Sequence, residues 1–260
     1  PPRTGWGQPD LRGMWDFRTL TPLQRPGRMA DKEFLTDEEA ALFVQRTLQE
    51  RDKDRRYENA RLDVEFAYNQ FWWDRGLSDG RTALITDPPD GRIPPLTPAA
   101  QRRTEARGAY RRDHPADSWL DRNLWERCIS RGVPRVPNNY NSNMLILQTP
   151  VAVVILNEMI NETRVIPLDG RPHVTPRIRL WNGDPRGHWE GDTLVVETTN
   201  FDDKQVFRGF PVGTLRLVER FTRVGPDQID YRMTLTDQGT YSGPWTVALP
   251  MTKTGGPIFE

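Results

Sequence analysis

The chain has 260 residues, with 36 basic and 36 acidic side chains and a formal net charge of zero. This balance gives no overall attraction to nucleic acid or to an anionic membrane. No apolar run approaches the roughly 20 residues that cross a membrane as a helix. The length suits a single domain over residues 1–260, and one cysteine, Cys128, excludes an intrachain disulfide. The composition leaves a small molecule as the expected partner.

The first half of the chain, residues 1–135, is predicted to be an extended entry followed by helices. Pro and Gly recur every few positions near the start, with a short strand predicted at Gly13–Thr19. Thr36 with Glu39 three residues later has the form of a capping box, which predicts a first helix. Further helices are predicted over Leu62–Trp72, over Pro98–Arg112 after an N-cap at Thr97, and over Ser118–Arg131, which would bury Cys128 on its apolar side.

The second half, residues 136–260, has the pattern of short β-strands. Asp-Gly, Asn-Gly and Glu-Gly pairs separate its apolar runs and predict hairpin turns. Strands are predicted at two runs within Met144–Leu156, and at Arg164–Leu168, Arg177–Trp181, Thr193–Thr198, Leu215–Val224, Ile229–Thr236 and Trp245–Leu249. One further short strand is predicted in the first half, at Arg81–Pro89. So many short strands at regular spacing predict an α+β protein dominated by an antiparallel β-barrel or sandwich, with the N-terminal helices as its cover.

The stretch Gly13-Met14-Trp15 resembles the G-x-W motif near the first strand of lipocalin-like (calycin) barrels. In that family the tryptophan plugs the closed end of the barrel, often under an arginine from a late strand. Arg216 or Arg220 would take that place here. The resemblance implies a barrel that holds an apolar ligand. The chain departs from the family in the long helical region that precedes its main block of strands.

A second resemblance covers more of the chain. Its opening WGQPDLRGMW, from Trp6 to Trp15, and the later runs NEMINETRVIPLDGRPH and RGHWEGDTLVVETTNF are similar to an uncharacterised family of exported bacterial proteins. That resemblance implies a secreted or periplasmic bacterial protein whose signal peptide has been removed. It implies no activity, because the family's function is unknown.

Residues 156–201 hold the strongest candidates for catalysis, because two of the three histidines lie there among turns and strands. The unperturbed pKa of histidine suits proton transfer near neutral pH, so His173 is predicted to be a general base. Glu158 on the preceding strand is predicted to orient it across a tight turn at Asp169-Gly170. The structural alternative for His173 is a histidine that bonds only to the backbone of its turn. The structural alternative for His188 is a position at a hairpin tip.

Other candidates flank this region. Tyr140 lies in an asparagine-rich segment and is predicted to be the acid or the oxyanion donor. An aromatic and polar cluster at the end of the second predicted helix could reach a cleft. The residues predicted to contact the substrate are Arg171, Asp74, Trp73, Asn141, His188 and Trp181.

The sequence has none of the common cofactor motifs. It contains no Gly-rich phosphate loop, no dinucleotide fingerprint and no G-x-S-x-G elbow. It also lacks H-x-H, H-E-x-x-H and any cysteine cluster, so no metal site is predicted. We therefore expect a protein that works without a cofactor.

These features favour a cofactor-independent enzyme. It would carry out acid–base chemistry of the lyase, hydratase, isomerase or cyclase type on a small apolar, aromatic or cyclic molecule in an aromatic-lined barrel cavity. Three alternatives stay open. They are a periplasmic binding or carrier protein for a small hydrophobic ligand, a carbohydrate-active enzyme with paired carboxylates, and a structural or interaction protein.

Overall fold

The computed structural model of the protein describes residues 1–52, 54, 56–66, 76–137, 141–208, 210–256 and 258. The strands within them are β1 (Gly13–Asp16), β2 (Ile85–Asp87), β3 (Asn143–Gln148), β4 (Ala152–Asn157), β5 (Glu162–Pro167), β6 (Asp184–Glu190), β7 (Thr193–Thr199), β8 (Val206–Phe207), β9 (Phe210–Pro211), β10 (Arg216–Gly225), β11 (Gln228–Thr236) and β12 (Trp245–Thr254). The helices are α1 (Asp37–Glu50), α2 (Ala60–Phe66) and α3 (Pro98–Asp113). Short 3-10 turns occur at Gly27–Met29, Trp119–Asp121 and Met159–Asn161.

The main sheet is antiparallel and curls into a nearly closed barrel. Its strand order is β5-β4-β3-β1-β12-β11-β10-β7-β6, β2 adds to β12, and β8 and β9 form a separate hairpin. The two ends of this path, β5 and β6, lie against each other. Gly187 in β6 permits the approach, because a Cβ atom there would come 2.8 Å from Cγ2 of Ile166 in β5. The antiparallel barrel predicted from the sequence is confirmed.

Apolar side chains fill the interior of the barrel. Every second residue of β10 and β11 is buried, and the rings of Phe221 and Tyr231 stack with their centroids 4.4 Å apart. A charged pair lies among them: Arg164 of β5 donates from Nη1 to Oε1 of Glu219 at 3.1 Å. The hydroxyl of Tyr231 donates to the same oxygen at 2.5 Å, and burial raises the pKa of Tyr231 well above its usual value. Because side chains fill the interior, the two ends of the barrel are the places to look for a ligand site.

Two predicted helices are confirmed together with their caps. The Thr36 side chain accepts from the Glu39 N–H at 3.2 Å, and the Glu39 carboxylate accepts from the Thr36 N–H at 3.1 Å. Helix α3 begins after Thr97, whose side chain accepts from the Ala100 N–H at 3.1 Å. Helix α2 covers the start of the predicted Leu62–Trp72 helix, and the part from residue 67 onward lies outside the described residues. No helix of the described chain has the length and apolar character needed to span a bilayer.

The fourth helix, predicted over Ser118–Arg131, is wrong. The segment starts with a capping box, but only the 3-10 turn Trp119–Asp121 follows it. Cys128 has φ = 52°, a left-handed conformation that a right-handed helix does not contain. Cys128 is also exposed, contrary to the prediction. Contacts with the barrel end have overridden the helical spacing of apolar residues.

Parts of the strand prediction are also wrong. Residues 177–181 form turns in which Leu180 makes an isolated bridge to Phe201, and no strand is present there. Strand β6 goes unpredicted because it contains Pro185 and Gly187, which strand interiors usually avoid. His188 therefore lies within a strand. The Asp169-Gly170 turn is not the tip of a tight hairpin, because a long loop separates it from β6, the next strand.

One end of the barrel, where β1 begins and the β10–β11 hairpin turns, is closed around Trp15, and we call it the Trp15 end. The indole of Trp15 is fully buried and donates to the Leu11 carbonyl at 2.8 Å. The guanidinium of Arg223 lies 5.3 Å from the centre of its ring. Arg223 also donates to the backbone carbonyls of Gly225, at 3.0 Å, and of Asp10 and Pro226.

This arrangement corrects one detail of the lipocalin-like resemblance. The arginine over Trp15 is Arg223, whereas Arg216 and Arg220 were expected there. Those two side chains are exposed and pair with Glu197, at 2.8 Å, and with Glu190, at 2.7 Å. Period-2 alternation explains the difference, because the odd-numbered residues of β10 face the interior and the even-numbered ones do not.

Candidate functional site

The opposite end of the barrel, where β1 and β4 end and β3 begins, contains a cavity of about 510 Å³. Its walls come from α3, from the loop between α3 and β3, from the ends of β1 and β4, and from β8. We call it the arginine cavity. It is lined by Phe17, Thr104, Arg107, Gly108, Arg111, Asn123, Trp125, Arg131, Pro134, Arg135, Val136, Pro137, Asn141, Ser142, Asn157, Met159, Val206, Phe207 and Arg208.

Positive charge dominates this lining. It contains Arg107, Arg111, Arg131, Arg135 and Arg208, and none of the described lining residues is acidic. Arg107 and Arg111 stand four residues apart on α3, a spacing at which like charges repel each other. Burial and, to a lesser degree, the charge of Arg111 lower the pKa of Arg107. The cavity thus concentrates cations that an anion would stabilise.

Arg135 is the most deeply placed of these arginines, and Glu162 at the start of β5 holds it. The Arg135 guanidinium donates to Oε2 of Glu162 and, at 3.2 Å, to the Met159 carbonyl. The other Glu162 oxygen accepts from Ser130 Oγ and from Asn182 Nδ2, the latter at 2.7 Å. Burial lowers the pKa of Arg135, although the attraction of Glu162 opposes this shift. Glu162 therefore fixes the position of one guanidinium behind the cavity wall.

Three buried polar atoms of the lining residues have no hydrogen-bond partner among the residues that the structure describes. They are Nε of Arg135, Oγ of Ser142 and Oδ1 of Asn157. Ser142 has no exposed surface, and Asn157 is 2% exposed. A buried polar atom left unpaired costs about 1–3 kcal/mol, and such atoms call for an explanation in a native structure. All three belong to residues that line one cavity, which makes this end of the barrel the candidate site.

The rest of the lining is largely apolar. It includes Phe17, Trp125 and Phe207, together with two prolines. The guanidinium of Arg131 lies 4.7 Å from the centre of the Trp125 ring, which is partly exposed. A planar cation over an aromatic face can hold a flat ligand as well as an anionic group. The cavity is therefore amphipathic, with cations set among aromatic and aliphatic walls.

His173, the predicted base, lies in the loop between β5 and β6 and is not among the lining residues. Its Nδ1 is 3.1 Å from Oδ2 of Asp184. That carboxylate also accepts from the Val174 N–H at 2.9 Å and from Arg186 at 2.5 Å. The acid that the structure puts beside His173 is therefore Asp184 and not the predicted Glu158.

Glu158 lies between two lining residues in the chain, but the structure does not bring it to His173. It is buried, and its Oε2 accepts from the side chain of Asn143 at 2.7 Å and from the Asn143 N–H at 3.2 Å. Asn141 lines the arginine cavity, as a predicted substrate contact would. Its φ of 57° places it in the left-handed region, which asparagine tolerates.

The other predicted contacts lie elsewhere. Arg171 is exposed and donates to Asp169, and this contact lowers the pKa of Asp169 to about 2. His188 is exposed with Nε2 3.0 Å from Glu190, and Trp181 is 39% exposed. None of these three lines the arginine cavity. Tyr140, Trp73 and Asp74 lie outside the described residues.

Sequence reasoning missed the five arginines because each one is typical of a solvated surface. They come from α3, from the loop before β3 and from the residue after β8, which are far apart in the chain. One signal was present: arginines recur four residues apart at positions 107 and 111 and again at 131 and 135. Among the residues that the structure describes, no group of three or more His, Cys, Asp or Glu stands close enough to hold a metal ion.

Comparisons with known proteins add little to this geometry. No protein-family model matches the chain, and no curated protein sequence matches it. Among solved structures, the chain is similar to a variant of the fluorescent protein UnaG, with a TM-score of 0.26 and 11% identity over 44% of this chain and 72% of that chain. A TM-score this low supports no inference about function. The function is therefore inferred from the residues of the arginine cavity.

Proposed function

We propose that this protein binds a small organic anion in the arginine cavity. The observation that carries the proposal is the lining, which contains five arginines and, among its described residues, no acid. Glu162, which pairs with Arg135, lies outside the lining. Arginine presents a rigid fork of N–H donors that suits carboxylate and phosphate groups. The volume of about 510 Å³ is in the usual range of small-molecule sites.

Binding without chemistry, as in a carrier, requires only the features described above. The acid–base enzyme predicted from the sequence needs more, because its base His173 pairs with Asp184 away from the lining residues. That catalytic set stays a prediction, and Tyr140, its proton donor, is outside the described residues. The proposed function is therefore binding of the anion, without a chemical step.

Calorimetric titration with naphthoate, a flat aromatic anion, tests the proposal. We expect saturable binding that weakens as the salt concentration rises, because salt screens the arginines. The double variant R107Q/R208Q should bind naphthoate at least about tenfold more weakly, since a hydrogen bond to a charged group contributes about 1.5–3 kcal/mol.

The matched control is the double variant R216Q/R232Q, which removes two arginines from the outer face of β10 and β11. Both of those side chains are exposed and pair with acids of neighbouring positions. We expect this control to bind naphthoate like the unmodified protein. Absence of binding by naphthoate, or an equal loss in both double variants, would overturn the proposal.

A further inference from the structure

We infer that the ligand of the arginine cavity is a ring-bearing organic anion that also carries a hydroxyl group. This inference rests on the proposed function and narrows its ligand to one chemical class. Two separate observations lead to it: the apolar part of the lining, and one buried acceptor that a carboxylate cannot satisfy.

The ring follows from the walls. Phe17, Trp125 and Phe207 line the same cavity as the arginines. An inorganic anion would contact only the guanidiniums and would leave these apolar surfaces in water. A ring bound against them gains roughly 25 cal/mol for each Å² of apolar surface removed from water. Arg131 over Trp125 shows that a flat group already stacks on one of these walls.

The hydroxyl follows from Asn157. Its amide Nδ2 donates toward the Glu162 carbonyl at 3.4 Å, whereas its Oδ1 is buried without a partner. A flipped amide would turn Oδ1 toward that carbonyl, and two acceptors would then face each other. The orientation is therefore set, and Oδ1 is the unpartnered acceptor of a residue that lines the cavity.

A carboxylate or a fully ionised phosphate ester has no proton to give to this acceptor. A carboxylate or phosphate oxygen near Asn157 Oδ1 would be repelled, while the arginines around it attract the same group. A ligand satisfies both only if its anionic group and a hydrogen-bond donor are on different atoms. Ser142 Oγ, the other unpartnered side-chain oxygen, can donate to or accept from the same hydroxyl.

Three matched naphthalenes test this inference by calorimetry: naphthoate, naphthol, and a hydroxynaphthoate whose two groups are on different rings. We expect hydroxynaphthoate to bind about three- to tenfold more tightly than naphthoate, which is the range of one neutral hydrogen bond. Naphthol, which lacks the anionic group, should bind much more weakly than both.

The variant N157L removes the acceptor with little change in side-chain size. It should abolish the preference for hydroxynaphthoate over naphthoate. The control R131M should weaken both naphthoates by a similar factor and keep the preference. Far-ultraviolet circular dichroism checks that each variant folds. If N157L does not fold, the affinities of the three ligands for the unmodified protein still test the hydroxyl inference.

The outcomes separate the two proposals. Equal affinities for naphthoate and hydroxynaphthoate in the unmodified protein would overturn the hydroxyl inference and keep the anion site. Naphthol binding as tightly as hydroxynaphthoate would overturn the anion site itself. A preference for hydroxynaphthoate that survives N157L would also contradict the inference, because the donor would then meet another acceptor.

Discussion

The two ends of the barrel each have an arginine over a tryptophan, and they use it differently. At the Trp15 end, Arg223 covers a fully buried indole and donates to three backbone carbonyls. In the arginine cavity, Arg131 covers a partly exposed indole. The same residue pair is structural at the Trp15 end, and in the arginine cavity we propose that it contacts a ligand.

Truncation of the two tryptophans gives the largest expected contrast. Trp15→Ala should lower the free energy of unfolding by about 3–5 kcal/mol, because it opens a large cavity in the core. Trp125→Ala should lower it by less than about 1 kcal/mol, since this ring is partly exposed. Urea denaturation measures both. Similar losses in the two variants would mean that the two ends do not differ in this way.

Replacing the two arginines tests the polar half of the comparison. Arg223→Met should cost about 2–4 kcal/mol of unfolding free energy, because several carbonyls at the Trp15 end lose a charged donor. Arg131→Met should change stability by less than about 0.5 kcal/mol and should instead weaken naphthoate binding. An Arg131→Met protein with full affinity would remove Arg131 from the binding site.

A third prediction concerns packing near the cavity, where Tyr241 meets Trp245 edge-on with ring centroids 5.8 Å apart. Burial raises the pKa of Tyr241 to about 12, against about 10 in an unfolded chain. Below about pH 10 the phenol is protonated in both states, so its full contribution to stability is present. Above that pH the unfolded chain ionises first, and the contribution is lost as the pH rises toward about 12.

Tyr241→Phe cannot ionise, so its free energy of unfolding should fall less than that of the unmodified protein between about pH 9 and about pH 11. Denaturant titrations of the two proteins at these pH values provide the measurement. Parallel losses would show that Tyr241 is solvated and that the cavity end is loosely packed.

The smallest predicted effect has the opposite sign. Arg107→Gln relieves the repulsion with Arg111 on α3, so stability should rise by about 0.2–0.5 kcal/mol, while affinity for naphthoate should fall. Arg102→Gln on the same helix, which is exposed and outside the lining, is the control and should leave the affinity unchanged. A clear loss of stability in Arg107→Gln would contradict the view that this charge serves binding.

The barrel was predictable because its longest strands follow the simplest rule. Strands β10 and β11 alternate buried and exposed residues, and side chains on one face of a strand recur with period two. Strand β6 was not predicted, because Gly187 is explained only by a tertiary contact, the close approach of Ile166. The prediction of a helix over Ser118–Arg131 was wrong for a related reason, since tertiary contacts can override a local helical pattern.

The site was less predictable than the fold. Histidines and turn residues attracted attention because their chemistry is visible one residue at a time. An arginine cavity has no such local signal, because its meaning depends on which guanidiniums meet and on what faces them. The sequence singled out Asn141, which lines the cavity, and its contact with a substrate stays a prediction. Arg135, Ser142 and Asn157 required the three-dimensional arrangement.

The position of β1 has a consequence for synthesis on the ribosome. Strand β1 pairs with β3 on one side and with β12 on the other. A nascent chain that has not yet released β12 therefore exposes unpaired edges on both β1 and β11, which are templates for aggregation. The barrel can close only after β12 has been synthesised, so the edges of β1 and β11 stay open for as long as that strand is missing.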